Sequence, residues 1–172
     1  MALLAVLLGC AHSGGWRNRA SDEREIRVAA YRRFLAPPQG HRGLPGLHVN
    51  CLGLQTESKP EVVSGQVVID ESPETLEEFR GDPEIVVPYS VCRRATPGRS
   101  APTYRGEVIP WARFITIEWV DRPGPSSATI DLGVVECSLL ERVICDGRGH
   151  RVRLSKQGDT WIVVGEQDTW VT

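Results

Sequence analysis

The chain has 172 residues, 20 basic against 22 acidic side chains, and 41% hydrophobic residues. A net charge of −2 supplies no electrostatic basis for holding nucleic acid or an anionic membrane surface. Length and apolar fraction suit one domain with a core of its own.

The first element is an apolar run, Ala2 to Leu8, ending in Leu7-Leu8-Gly9-Cys10 and followed at once by polar, glycine-rich sequence. Seven helical residues reach only about 10 Å at ~1.5 Å each, whereas a bilayer core needs ~20. Residues 1–9 therefore read as a short export signal. The ending resembles the lipobox of bacterial lipoproteins. That resemblance implies cleavage before Cys10, a diacylglycerol on its thiol, and a lipid-anchored place in a bacterial cell envelope with the membrane as partner. Plain secretion is the alternative. Residues 10–20 then form the lipidated N-terminus and a flexible tether, and residues 21–172 a single domain.

A helix is expected from about Asp22 to Leu35. Asp22 and Glu25 have capping-box spacing, Ile26, Ala30 and Phe34 recur every four residues, and Tyr31 and Leu35 widen the stripe. Pro37-Pro38 stops it. Gly40 to Gly46 is a connector without the Lys-Ser/Thr of a phosphate loop. Leu47 to Leu54 and Val67 to Asp70 read as strands. Ser72-Pro73-Glu74 is a helix start that Gly81 ends. Ile85 to Cys92 reads as a strand moved towards a sheet edge by Pro88, and 94–103 as a loop.

The last third alternates most clearly. Ala112 to Val120 and Ala128 to Cys137 carry apolar residues at period two. Asp146-Gly147-Arg148-Gly149 has turn chemistry, His150 to Lys156 alternates again, and Gln157-Gly158-Asp159 turns the chain into Thr160 to Gly165. Connections this short join antiparallel neighbours. The expected fold is α+β: an N-terminal amphipathic helix, with a short second one, packed on a twisted antiparallel sheet of four or more strands. The ending, with Thr-Trp-Ile-Val-Val and Trp170, resembles the closing strands of cystatin-like and nuclear-transport-factor-2-like domains. Val134 to Leu154, with cysteines flanking a turn, resembles small exported bacterial proteins of unassigned activity.

Beside Cys10, Cys51, Cys92, Cys137 and Cys145 make an even set. No Cys-x-x-Cys or His-x₃₋₅-His spacing suggests zinc, and an exported chain meets oxidising conditions, so disulfides are expected. Four cysteines allow three pairings. The favoured one joins Cys137 to Cys145 across a short hairpin and Cys51 to Cys92 between two strands.

No catalytic constellation stands out. Ser90 lies outside any Gly-x-Ser-x-Gly elbow, His41, His48 and His150 have no partner selected by sequence, and Glu71, Glu74, Glu77-Glu78, Asp131, Glu136 and Glu141 read as solvated acids. Arg80-Gly81-Asp82 spells an integrin-binding tripeptide, but Gly81 already serves as a helix stop. No cofactor and no metal site is expected. Trp111, Trp119, Trp161 and Trp170 fall in the sheet region and are the candidate ligand-facing residues, since aromatic rings on a concave sheet suit an apolar or sugar-like ligand, with core packing as the favoured competing reading. The sequence thus points to a non-catalytic binding or structural accessory domain of the envelope. The second reading is a small-ligand carrier or enzyme with a pocket between helix and sheet.

Overall fold

The computed structural model describes residues 14–35, 47–56, 67–93, 102–139 and 144–171. The leader, Cys10, His12, Pro37-Pro38, the 40–46 connector with His41, Glu141 and most of the 94–103 loop lie outside the described residues.

The chain runs α1 (Gly14–Phe34), β1 (His48–Thr56), β2 (Val67–Asp70), α2 (Pro73–Glu77), β3 (Ile85–Pro88), α3 (Tyr89–Arg93), β4 (Thr103–Tyr104), β5 (Glu107–Val108), β6 (Trp111–Gly124), β7 (Ser127–Ser138), β8 (Ile144–Gln157) and β9 (Thr160–Val171). The large sheet has the order β2-β1-β6-β7-β8-β9, and β3 also pairs with β1. β6 to β9 are consecutive antiparallel hairpins. β1, however, lies parallel to both β6 and β3. The expected α+β fold on an antiparallel sheet is therefore corrected: the protein is mostly β, 61% strand and 22% helix, on a mixed sheet. The physical reason is the long connection from β1 to β6. Parallel neighbours need a crossover of a dozen residues or more, and the 57–110 segment supplies one, carrying β2, α2, β3 and α3 on its way.

Several boundaries move as well. Helix α1 begins at Gly14, not at the Asp22 capping pattern, so part of the expected tether is helical. Asp22 instead pairs with Arg122 Nη2 (3.0 Å) and Lys156 Nζ (2.6 Å), clamping α1 to the far ends of β6 and β8. Those two cations hold its carboxyl below the usual range. The expected 85–92 strand ends at Pro88, and Tyr89 to Arg93 coil into α3. Residues 146–149, expected as a turn, run straight through β8. They pair with β7 on one side and, from Arg148 onward, with β9 on the other. Thr103-Tyr104 and Glu107-Val108 form a small hairpin over Arg105 (φ 52°) and Gly106 (φ 84°), consecutive positive φ angles of the kind tight hairpins use.

Other local signals appear where expected. Ser72 caps α2, its hydroxyl accepting from the Thr75 amide at 3.2 Å, with Pro73 in the first turn. Gly81 follows at φ 95°, a left-handed position open to glycine. β3 is an edge strand, which accommodates Pro88.

Each face of the sheet carries a core. On one face α1 lays Ile26, Ala30 and Tyr31 over Leu52, Ile115, Ile130, Leu132 and Val152. On the other, α3 packs with Ile109 and Leu139 over one end of the sheet, where Val49 of β1, Val87 of β3 and Ala112 of β6 point. Both disulfides, Cys51–Cys92 and Cys137–Cys145, are formed at this second cluster. The first ties β1 to α3 rather than to a second strand. The second joins residues already opposite each other in the β7–β8 ladder.

The two helix-side layers are pinned by a buried polar network. Glu71, with a fully buried side chain, stands 3.2 Å from Arg27 Nε and accepts the Ser72 amide at 2.8 Å. The Tyr31 hydroxyl lies 2.9 Å from both Glu71 Oε2 and the Gly53 carbonyl. Burial first, and the Glu71 carboxylate second, push the Tyr31 phenol well above its ordinary value, so it stays a proton donor at any physiological pH.

Candidate ligand-binding face

Beyond the part packed under α3, no element among the described residues covers the second face of the sheet. Its outward positions come from alternation along each strand: Gln55 on β1, Phe114, Thr116 and Glu118 on β6, Gly133 and Val135 on β7, Trp170 on β9, with Tyr89 of α3 forming one wall. These residues enclose a groove of about 320 Å³, near the lower end of the ~300–1,000 Å³ typical of ligand sites. Tyr89 and Phe114 meet edge to face, with centroids 5.4 Å apart.

Trp170 is the distinctive member. A side-chain carbon placed at Gly149 would collide with its Nε1, and one at Gly133 would fall 3.3 Å from its Cζ2. The indole of β9 therefore reaches across β8 to β7, over a floor that only glycine leaves low enough. This explains the Gly147-x-Gly149 pattern at its second position: Gly149 serves close approach, not a turn. The residue is still 36% exposed.

Beside it lies Glu118, at an irregularity of the β6–β7 pairing between Ile117 and Trp119. Such bulges re-aim side chains. Among the described residues no cation pairs with Glu118. Burial first, and the Asp131 carboxylate second, raise its carboxyl above the ordinary value. Asp131 itself is held by Arg151 through two bonds of 2.7 Å. The groove thus combines aromatic surface with an uncompensated carboxyl group and the polar ends of Thr116 and Gln55.

The four tryptophans singled out in the sequence divide. Trp161 is 4% exposed and belongs to the core under α1, with Arg122 and Lys156 over its ring. Trp119 is 51% exposed, Trp111 is half-buried, and only Trp170 lines the groove. Sequence reasoning missed Glu118, Phe114 and Tyr89. Phe114 and Glu118 share the even positions of β6 with Ala112, a signal that was present but indistinguishable from ordinary alternation.

The remaining candidates are dispersed. Ser90 binds Asp70 through its amide (2.6 Å) and hydroxyl (2.8 Å). His48 is buried at 2% exposure. Glu136 is paired with Arg113, and Glu77 with Arg80 at 2.9 Å. Arg32 engages Asp82 at 3.5 Å, so both charges of the Arg80-Gly81-Asp82 tripeptide have intramolecular partners. Between the middle of α1 and the sheet the space is filled by Ile26, Ala30, Tyr31, Ile115 and Ile130, all at 0% exposure. His150 comes together with Glu166 and Asp168 on the helix side of the sheet. No known protein family, curated protein or solved structure matches the chain.

Proposed function

We propose that this protein is an exported, disulfide-bonded binding module that takes a saccharide-like ligand in the groove on its open sheet face. The observation that carries the reading is Trp170, kept partly exposed over a glycine floor beside the unpaired, half-buried Glu118. A sugar ring presents an apolar face to an indole and hydroxyls to a carboxyl, amide or hydroxyl group, and this groove offers each of them. Two disulfides fit an oxidising, extracellular or periplasmic setting.

Titrating the protein with neutral and amino-sugar oligosaccharides should change its tryptophan fluorescence saturably. Trp170→Ala should weaken binding at least tenfold, equivalent to about 1.4 kcal/mol, and Glu118→Gln should weaken it less. Equal binding by the Trp170→Ala variant, or none by the parent, would remove the proposal.

The leader extends the same reading. Cys10 carries a lipid anchor, and since one acyl chain holds a membrane only marginally, it carries more than one. Cells fed a fatty-acid probe should label the parent chain, and Cys10→Ala should lose both the label and membrane association. A Cys10→Ala chain still bound to membranes would rule the anchor out and favour secretion or another attachment.

A further inference from the structure

On the opposite face, at the end of α1, we propose that His150, Glu166 and Asp168 bind one divalent transition-metal ion of the zinc class. The three residues converge from two adjacent strands. His150 of β8 is the ladder partner of Asp168 of β9, and Glu166 lies two residues earlier on the same face. An irregularity between Gly149 and His150 shifts the register there, which turns Trp170 to the groove face and Asp168 to the helix face.

Nδ1 of His150 is 3.2 Å from Glu166 Oε1 and 3.2 Å from Asp168 Oδ1, and the three ligand atoms all lie within 4.8 Å of one another. Zinc sits about 2.0–2.2 Å from nitrogen and carboxylate ligands in near-tetrahedral geometry, which sets neighbouring ligand atoms roughly 3.3–3.5 Å apart. The cluster is thus close to coordination spacing.

A second feature points to an ion rather than to a chance gathering of acids. The His150 side chain is nine-tenths buried, and its Nδ1 is buried without a hydrogen bond despite the two oxygens beside it. An ion between the three atoms satisfies that nitrogen and both oxygens together. The surrounding groups hold the set in place. Phe34 packs on the imidazole with centroids 4.6 Å apart, and Arg33 Nε binds Glu166 Oε2 at 3.0 Å. Arg148 stands 4.0 Å from Asp168 Oδ2. Each arginine thus engages the outer oxygen of a carboxylate and leaves the inner one facing His150, the arrangement by which outer partners orient metal ligands. One imidazole with two carboxylates selects a borderline ion over Ca²⁺ or Mg²⁺. His150 and Glu166 also line a cleft of about 600 Å³, into which the free coordination positions of the ion would open.

The test is zinc binding by the oxidised full chain after chelator treatment, read by metal content and titration calorimetry. One zinc per chain should bind, and the Tm should rise with zinc concentration. Asp168→Asn, at a half-exposed position that does not risk the fold, should weaken binding by about 10–100-fold, and His150→Ala should abolish it. A His12→Ala/His41→Ala chain should bind as the parent does. Absence of stoichiometric zinc, or unchanged binding in both Asp168→Asn and His150→Ala, overturns the site. Equal binding of Mg²⁺ or Ca²⁺ overturns the class of ion.

Discussion

Glu71→Gln should destabilise the protein by about 3 kcal/mol, at the lower end of the ~3–5 kcal/mol for breaking a buried ion pair. The carboxylate is fully enclosed, whereas Arg27 keeps 15% of its side chain exposed, so some of the lost compensation returns as hydration. Against a typical stability of about 5–15 kcal/mol, that is a large share. The damage is distributed. The substituted side chain would present an amide where Tyr31 and the Ser72 amide now find acceptors, and Arg27 would lose its counter-charge. Urea unfolding should show a lower midpoint with an unchanged slope. An Arg27→Met/Glu71→Gln double variant should recover part of the loss, since neither charge is then left alone. A midpoint within error of the parent would show that the pair does not hold α1 to the β2–α2 corner.

Removing the Cys51–Cys92 bridge by paired serine substitution should cost up to about 4 kcal/mol on the chain-entropy model, because it closes a segment of 41 residues. For a domain of this size that corresponds to a fall in Tm of roughly 10 °C. The Cys137–Cys145 bridge spans only 8 residues and should contribute less, about 2.6 kcal/mol at most. The ladder already places its two residues opposite each other. Differential scanning calorimetry of the two paired variants gives the comparison. If removing the short bridge proved the more damaging, the entropic ordering would be wrong for this fold. The larger effect has a structural meaning. The 51–92 segment contains most of the crossover that lets β1 run parallel to β6, so its bridge restrains the least local part of the topology.

Much of the local structure was readable from residues. The four-residue spacing of Ile26, Ala30 and Phe34 marks the buried side of α1, Ser72-Pro73 marks the start of α2, and Gly158 (φ 61°) turns β8 into β9. The Gly147-x-Gly149 pattern misled, because a glycine that makes room for an indole and one that makes a turn are the same letter. The candidate sites were harder to read. Trp161 and Trp170 both alternate along β9, yet one lies in the core and the other lines a groove. They stand an odd number of residues apart and the two irregularities of the β8–β9 ladder, at Gly149/His150 and Arg153/Leu154, offset each other, so they point to opposite faces, and the side that α1 occupies decides which face is core. His150, Glu166 and Asp168 were visible individually. Folding the chain back about the 158–159 turn brings His150 beside Asp168, a step that depends on the strands being long enough to reach that far.

What the sequence alone determined is the local and the covalent: strands by period two, helices by apolar spacing and caps, and an even cysteine set suited to an oxidising setting. These follow from interactions among neighbours a few residues apart, which alternation and spacing record directly. The tertiary structure alone decided the direction of β1 against β6 and β3, which sheet face is covered, and which distant residues meet. Parallel pairing of β1 with β6, the groove beneath Trp170 and the His150 cluster all join segments distant in sequence. Their energies depend on register and close packing, and neither leaves a periodic trace along the chain.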